Sequence, residues 1–424
     1  VSPVKKMETI SLAYLRRMRK LPLPVLLLLL SIAPVRGQVE NSRELFSQID
    51  PVLQGLSEIT GLKAKHKVPA DYISKAKLEQ FIRQRIRDAV KPEEIRVESL
   101  ALRMFGFIPD DYDLKQAIVE LMTEQAAAFY DYERKKLFIT ESDTSFLEKR
   151  AALVHELAHA LADQSFPLGK FMHGGAKSDD AATAREAVVE GQATWLMWAY
   201  VTKLGGGEAR VPETVLESMK GAATSSVSAQ YPVFEKAPLY LRESLIFPYS
   251  DGLSFADAVF AKLGKDGFSE VFRRAPVSTQ QILHPELYLA KKDPVRLEAP
   301  TPRDGVRRRK LAEGSVGELD FRILFAQYAG KDVAERVPPH WRGGAFRLYE
   351  SRRDRRPLMS FATEWDSPEA ARDFFEAYCA VLAKKWKRLE TRERTAGRVA
   401  GAGDRGGFEV TLSGTRASSV EGIQ

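Results

Sequence analysis

The chain has 424 residues, 44% of them apolar and 29% charged, which is enough apolar material to fill the cores of two or three domains. Its one cysteine, Cys379, excludes an internal disulfide framework, a cysteine-rich zinc module and an iron–sulfur cluster. The net charge is +7, yet residues 1–37 hold +6 of it. The remainder is close to neutral, so no nucleic-acid partner is expected.

In that first segment Arg19 and Lys20 precede an apolar stretch from Leu21 to Val35, interrupted by Pro22, Pro24 and Pro34. It is too short and too broken to span a hydrocarbon core of about 30 Å. A basic start, a short apolar centre and the small residues around Gly37 read as a secretory signal over residues 1–37, cleaved before Gln38. The mature protein is therefore expected to be secreted or periplasmic, with no stable membrane insertion.

Residues 41–60 and 71–90 show helical spacing, and Asp113 to Gln125 is another helix with Leu114, Ile118 and Leu121 on one side. Ala128-Phe129-Tyr130 and Lys136 to Thr140 are strand-like around the turn Asp131 to Arg134, which predicts a hairpin. Ser145 opens a helix running to about Gln164. A long helix follows from about Asp180 to Leu204, stopped by three glycines, and shorter ones are expected at 211–221, 234–246 and 253–263. The basic, proline-containing stretch from Leu297 to Lys310 marks a domain boundary. Beyond it come strands at Phe346 to Glu350 and Leu358 to Thr363, a helix from about Pro368 to Trp386 and a strand at Gly407 to Leu412. Residues 413–424 read as a loose tail.

The chemistry concentrates at His155-Glu156-Leu157-Ala158-His159. Helical residues i and i+4 share a face, so two imidazoles converge on one zinc ion, and Glu156 lies one step round as general base. By chance this pattern would occur about 0.006 times in a chain of this composition. A catalytic zinc needs a third protein ligand. Ala162 and Ser165 stand where the metzincin extension requires Gly and His. The remaining candidates are Glu190 and Glu186, one turn apart on the next helix, one to ligate and the other to orient an imidazole. Asp163, one turn beyond His159, is placed to support the same shell.

His155 to His159, followed about 30 residues later by Glu190-Gly191, resembles the gluzincin pattern. More closely, Glu124 to Asp131, His155 to Gln164, Val189-Glu190-Gly191, Phe247 to Gly252 and Gln281 to Glu286 resemble blocks of a largely uncharacterised group of secreted bacterial HExxH metallopeptidase-like proteins. The resemblance covers roughly residues 100–300, is weaker around Trp365 to Tyr378, and departs at Tyr132, where the group has proline. It implies His155, His159 and Glu190 as zinc ligands, Glu156 as base and a peptide or protein substrate.

The fold expected is α+β. A mostly helical zincin-like domain spans residues 38–300 (helices at 41–126, catalytic core at 127–300) with a small hairpin or sheet edge. A basic linker at 301–316 leads to a small α+β accessory module at 317–412. In zincin geometry the strand Lys136 to Thr140 forms the cleft edge on which a peptide pairs. His284 is the expected second donor to a developing oxyanion, with Tyr249 behind it. A zinc peptidase, most simply an endopeptidase, is thus expected. The alternative is a non-catalytic zinc-binding envelope protein that uses the same fold to hold a partner. Because every residue assigned to chemistry precedes the linker, a chain ending near Ala299 is expected to keep the site.

Overall fold

Among the described residues, serine or aspartate side chains cap six of the helix starts. The computed structural model describes residues 42–141, 145–174, 178–219, 231–302 and 308–423; the signal expected at 1–37 lies outside them. Helices α1 (Ser42–Ser47) and α2 (Ile49–Thr60) lead into strand β1 (Ala70–Ser74), and α3 (Lys75–Ala89), α4 (Pro92–Phe105) and α5 (Leu114–Gln125) follow. The Ser74 and Asp113 side chains accept N–H groups at the starts of α3 and α5, satisfying donors that a helix start leaves orphaned. Left-handed Gly61 and Gly106 terminate α2 and α4. Residues 71–74, read as the start of a helix, form β1, and α4 falls within the helical region at 41–126 without a separate prediction. β1 is too short for its alternation to register, and α4 mixes charged residues into its apolar face.

The predicted hairpin forms as β2 (Ala128–Asp131) and β3 (Lys136–Glu141). Asp131 accepts the backbone N–H groups of Glu133 and Arg134 in its turn. The sheet order is β1-β3-β2, with β3 parallel to β1 and antiparallel to β2. This corrects the role given to Lys136–Thr140. That strand is central, with neighbours on both sides, because β1 takes the side it was expected to offer a peptide. The sheet edge beside the histidine helix is β2.

Helix α6 (Phe146–Asp163) begins at a capping box in which Ser145 and Glu148 satisfy each other's backbone N–H groups. Helices α7 (Leu168–His173), α8 (Asp179–Leu204), α9 (Glu213–Met219), α10 (Pro232–Lys236) and α11 (Leu239–Leu263) follow, then α12 (Gly267–Arg273), α13 (Thr279–Leu283) and α14 (Pro285–Leu289). The break expected between 246 and 253 does not occur: α11 runs straight through Pro248. A proline removes one intrahelical bond, here the one to Ser244, and close packing against α8 offsets it. A Cβ on Gly191 would stand 2.1 Å from the Gly252 carbonyl oxygen, and one on Gly252 would stand 2.5 Å from that of Ala187. Only glycines let the two helices cross so tightly. Among the described residues no helix is long and apolar enough to cross a membrane.

The C-terminal half carries β4 (Arg308–Ser315), α15 (Glu318–Tyr328), α16 (Lys331–Arg336), β5 (Trp341–Ser351), β6 (Pro357–Trp365), α17 (Pro368–Lys385), β7 (Leu389–Arg394), β8 (Arg398–Gly403), β9 (Gly406–Ser413) and β10 (Arg416–Ile423). Its strands form one antiparallel sheet in the order β4-β5-β6-β10-β9-β8-β7. The molecule is thus α+β. Two sequence boundaries need correction. The linker at 301–316 contains β4, whose Arg309 pairs with Glu93 and Glu350, so its charge run is matched across a strand. The tail at 413–424 holds β10, seated between β6 and β9 in mid-sheet. Its run Ala417-Ser418-Ser419-Val420 reads as loose because its buried face bears small or charged residues.

Nor does the segment beyond 317 form a core of its own. Apolar residues of both halves belong to one continuous buried cluster. The Phe105 ring lies 5.6 Å from that of Phe346, Tyr328 donates its hydroxyl to the Gly106 carbonyl at 2.7 Å, and Lys385 donates to the Met104 carbonyl at 3.0 Å. The exposed end of α4 is thereby capped from the other half of the chain.

Candidate metal centre

One turn of α6 separates His155 from His159, and their rings meet edge to face with centroids 4.7 Å apart. Helix α8 crosses beneath and inserts Glu190 between them. Its Oε2 lies 3.1 Å from His155 Nε2 and 3.3 Å from His159 Nε2. One ligand-type atom from each of the three residues falls within 4.8 Å of the others. All three side chains are buried, and so is Glu156.

Glu156 is held from one side only. Its Oε2 accepts the backbone N–H of Tyr130 at 2.6 Å, while Oε1 has no hydrogen-bond partner among the described residues. The sheet register explains the first contact. Leu137, opposite Tyr130, gives its own N–H to Pro69 on the far side of β3, so the pair is non-hydrogen-bonded and Tyr130 turns its N–H outward. A backbone donor of this kind leaves no trace in the sequence.

The other expected residues fall in different places. Asp163 serves the hairpin, accepting from the Tyr130 hydroxyl at 2.9 Å, the Leu168 N–H at 2.9 Å and the Lys135 ammonium. Glu186 is buried one turn before Glu190 but stands outside the three-residue cluster. His284, expected to face the reacting centre, is a correction: its Nε2 lies 2.8 Å from Glu318 and its Nδ1 3.8 Å from Glu286. Glu318 opens α15, a helix absent from the sequence reading, so this partner was not foreseeable. Tyr249, expected only behind His284, is the closer group. Its ring centroid is 6.0 Å from that of His155 and its phenol hydrogen-bonds Glu190. The signal was its place three residues before Gly252, at the crossing with the helix that carries Glu190.

Burial dominates the electrostatics. It pushes the His155 imidazole down to about 4 and the Glu156 carboxyl up to about 8. Glu190 behaves differently. Burial disfavours its charge, but His159 and His155 outweigh that and hold it down to about 2. His159 moves upward: burial opposes its charge, and Glu190, Glu156 and Asp163 together overcome the penalty. Tyr249 is raised, first by burial and then by the carboxylates Glu190, Glu156 and Glu186. Neither Glu156 nor Glu190 has a lysine or arginine ion-pair partner among the described residues.

Two buried carboxylates without a fixed protein cation, beside two imidazoles, make a donor set suited to a divalent ion. A tetrahedral zinc with bonds of about 2.0–2.2 Å spaces its ligand atoms about 3.3 Å apart, close to the 3.1 and 3.3 Å found here. The residues fit the ion.

Comparison with known proteins reaches only the last 119 of the 424 residues. Residues 306–424, which contain β4 to β10, match a family model described as a domain of unknown function (DUF8575). No curated protein and no solved structure matches the chain.

Proposed function

We propose that the protein is an exported zinc-dependent peptidase of zincin-like architecture. The observation that carries the reading is the unpartnered Oε1 of buried Glu156 beside the convergent His155, His159 and Glu190. His155 and His159 would hold the ion through Nε2 and Glu190 through a carboxylate oxygen. Zinc bound there supplies Lewis-acid polarisation of a carbonyl and lowers the pKa of a water towards about 7.

The chain's own residues perform the rest. Glu156, positioned through Tyr130, accepts a proton at Oε1 and returns it to the leaving amine. Its carboxyl, raised to about 8 in the metal-free protein, moves down when a divalent cation arrives alongside, so it is ionised when needed. Tyr249 orients Glu190 and is the nearest phenol donor to the reacting centre. The outward edge of β2, beside the site, is the strand on which an extended peptide would pair.

Burial favours a second reading. His155 is 1% exposed, Glu156 0%, His159 6% and Glu190 3%, as in a zinc-holding protein that turns nothing over. Metal analysis with a general proteolysis assay on the protein and on Glu156→Gln separates the two. One equivalent of zinc in both, with hydrolysis lost in the variant by about 10²–10⁴-fold, is the expected outcome. Zinc in both with activity in neither favours the second reading.

A further inference from the structure

We propose that the segment from Gly314 to Arg322, which opens the C-terminal half, is a brace that fixes the crossing of α8 and α11 and thereby positions Glu190 and Tyr249. The proposal gives the segment matching the unknown-function family a task in this chain. It rests on the zinc reading only for what Glu190 holds.

The brace grips α8 at its N-terminus. Ser315 Oγ accepts the Asp180 N–H at 2.9 Å, and the Asp180 carboxylate takes both the N–H and the hydroxyl of Thr279 at 3.0 and 2.6 Å. Thr279 in turn accepts the Leu319 N–H at the start of α15, at 3.3 Å. The approach brings two glycines against carboxylates of α8. A Cβ on Gly314 would stand 2.0 Å from Asp179 Oδ2, and one on Gly317 would stand 2.1 Å from Asp180 Oδ1.

The same segment grips α11 from outside. Arg322 Nη2 lies 3.3 Å from Asp251 and 4.0 Å from Glu243. Asp251 follows Tyr249 by two residues, so at 100° per residue it leaves the helix on roughly the opposite side. Tyr249 thus faces Glu190 while Asp251 is held from behind. Between the two grips α8 and α11 touch at Gly191 and Gly252 with no room for a methyl group. Helices packed this tightly move as bodies, so shifting either grip displaces Glu190 and Tyr249 relative to the histidines on α6.

The test uses the full chain with Arg322→Met, the milder Ser315→Ala, and Arg322→Lys, which keeps a cation beside Asp251. Zinc affinity is read by chelator competition. Amide hydrogen exchange is followed at residues 186–193 and 247–253 in the metal-free protein. Arg322→Met and Ser315→Ala are expected to weaken zinc binding about 2- to 30-fold and to speed exchange in both stretches, with Arg322→Lys recovering most of the loss. Arg394→Met, which removes an exposed pair with Glu376, serves as a control and should leave both readouts unchanged. The proposal is overturned if the brace variants lower the unfolding temperature yet leave affinity within twofold and exchange in both stretches unaltered. If the unaltered protein takes up no zinc, the metal reading fails, and the exchange comparison alone decides for or against the brace.

Discussion

Glu421 and Lys385 pair at 2.8 Å in the C-terminal half, nearly inaccessible to solvent, whereas Glu156 and Glu190 lie buried in the helical half beside two imidazoles. The first cluster carries its own cation. Tyr378 and Ser419 also donate to Glu421, and Lys385 also reaches the Met104 carbonyl. One negative charge meets one positive charge, and their neighbours take up the hydrogen bonds. In the second cluster no lysine or arginine is paired with either carboxylate, and Glu190 is matched only by imidazoles. Burial is alike in both; the fixed cation is not. A buried carboxylate paired with a lysine is a structural contact, whereas carboxylates flanked only by imidazoles form a donor set that a divalent ion fits.

Substitutions that exchange the properties of the two clusters sharpen this contrast. Glu190→Ala should have the largest effect, abolishing stoichiometric zinc by metal analysis. Because His159 and His155 favour its charged form and hold it down to about 2, the metal-free variant should also unfold at a somewhat lower urea concentration than the parent. Stoichiometric zinc retained by the folded Glu190→Ala protein would show that Glu190 is not a ligand. Lys385→Met should do the reverse. It leaves Glu421 buried without its cation and is expected to cost about 3–5 kcal/mol in urea unfolding, with zinc stoichiometry intact in the folded fraction. Glu186→Ala is milder, expected to retain zinc with affinity or activity weakened about 10–100-fold. Loss of stoichiometric metal there would move the third ligand one turn earlier.

A third buried carboxyl couples stability to pH. Burial, with Asp320 and Glu318 nearby, pushes Asp180 up to about 7 despite its bonds from Thr279. Between its ordinary value of 3.8 and about 7 the folded protein keeps a proton that the unfolded chain releases. Stability attributable to this group therefore falls as pH rises through that window, by up to roughly 1.4 kcal/mol per unit. Asp180→Asn should flatten this slope in unfolding measurements at pH 5, 6 and 7. An unchanged slope would show that Asp180 does not set it.

Several features were determined by the sequence alone, because their causes are local. The capping box at Ser145, the i, i+4 spacing of His155 and His159 and the turn chemistry of Asp131 act within a few residues, and each appears in the structure where its pattern places it. The sequence narrowed the third member of the cluster to Glu190 or Glu186, since helical period brings both to one face; the crossing of α8 over α6 brought Glu190 in. Tertiary structure alone decided the rest. Which edge the small sheet presents depends on β1 pairing from more than sixty residues away, and no pattern inside Lys136–Thr140 encodes it. α11 continues through Pro248 because Gly191 and Gly252 meet across a helix crossing, a contact between residues that helix propensity by itself disfavours. His284 went to Glu318, and the tail became the middle of a sheet, because partners distant in sequence supplied the charge and hydrogen bonds their own surroundings lacked. Local propensity is read over one or two helical turns; pairing, crossing and charge compensation are settled only when the chain has closed on itself.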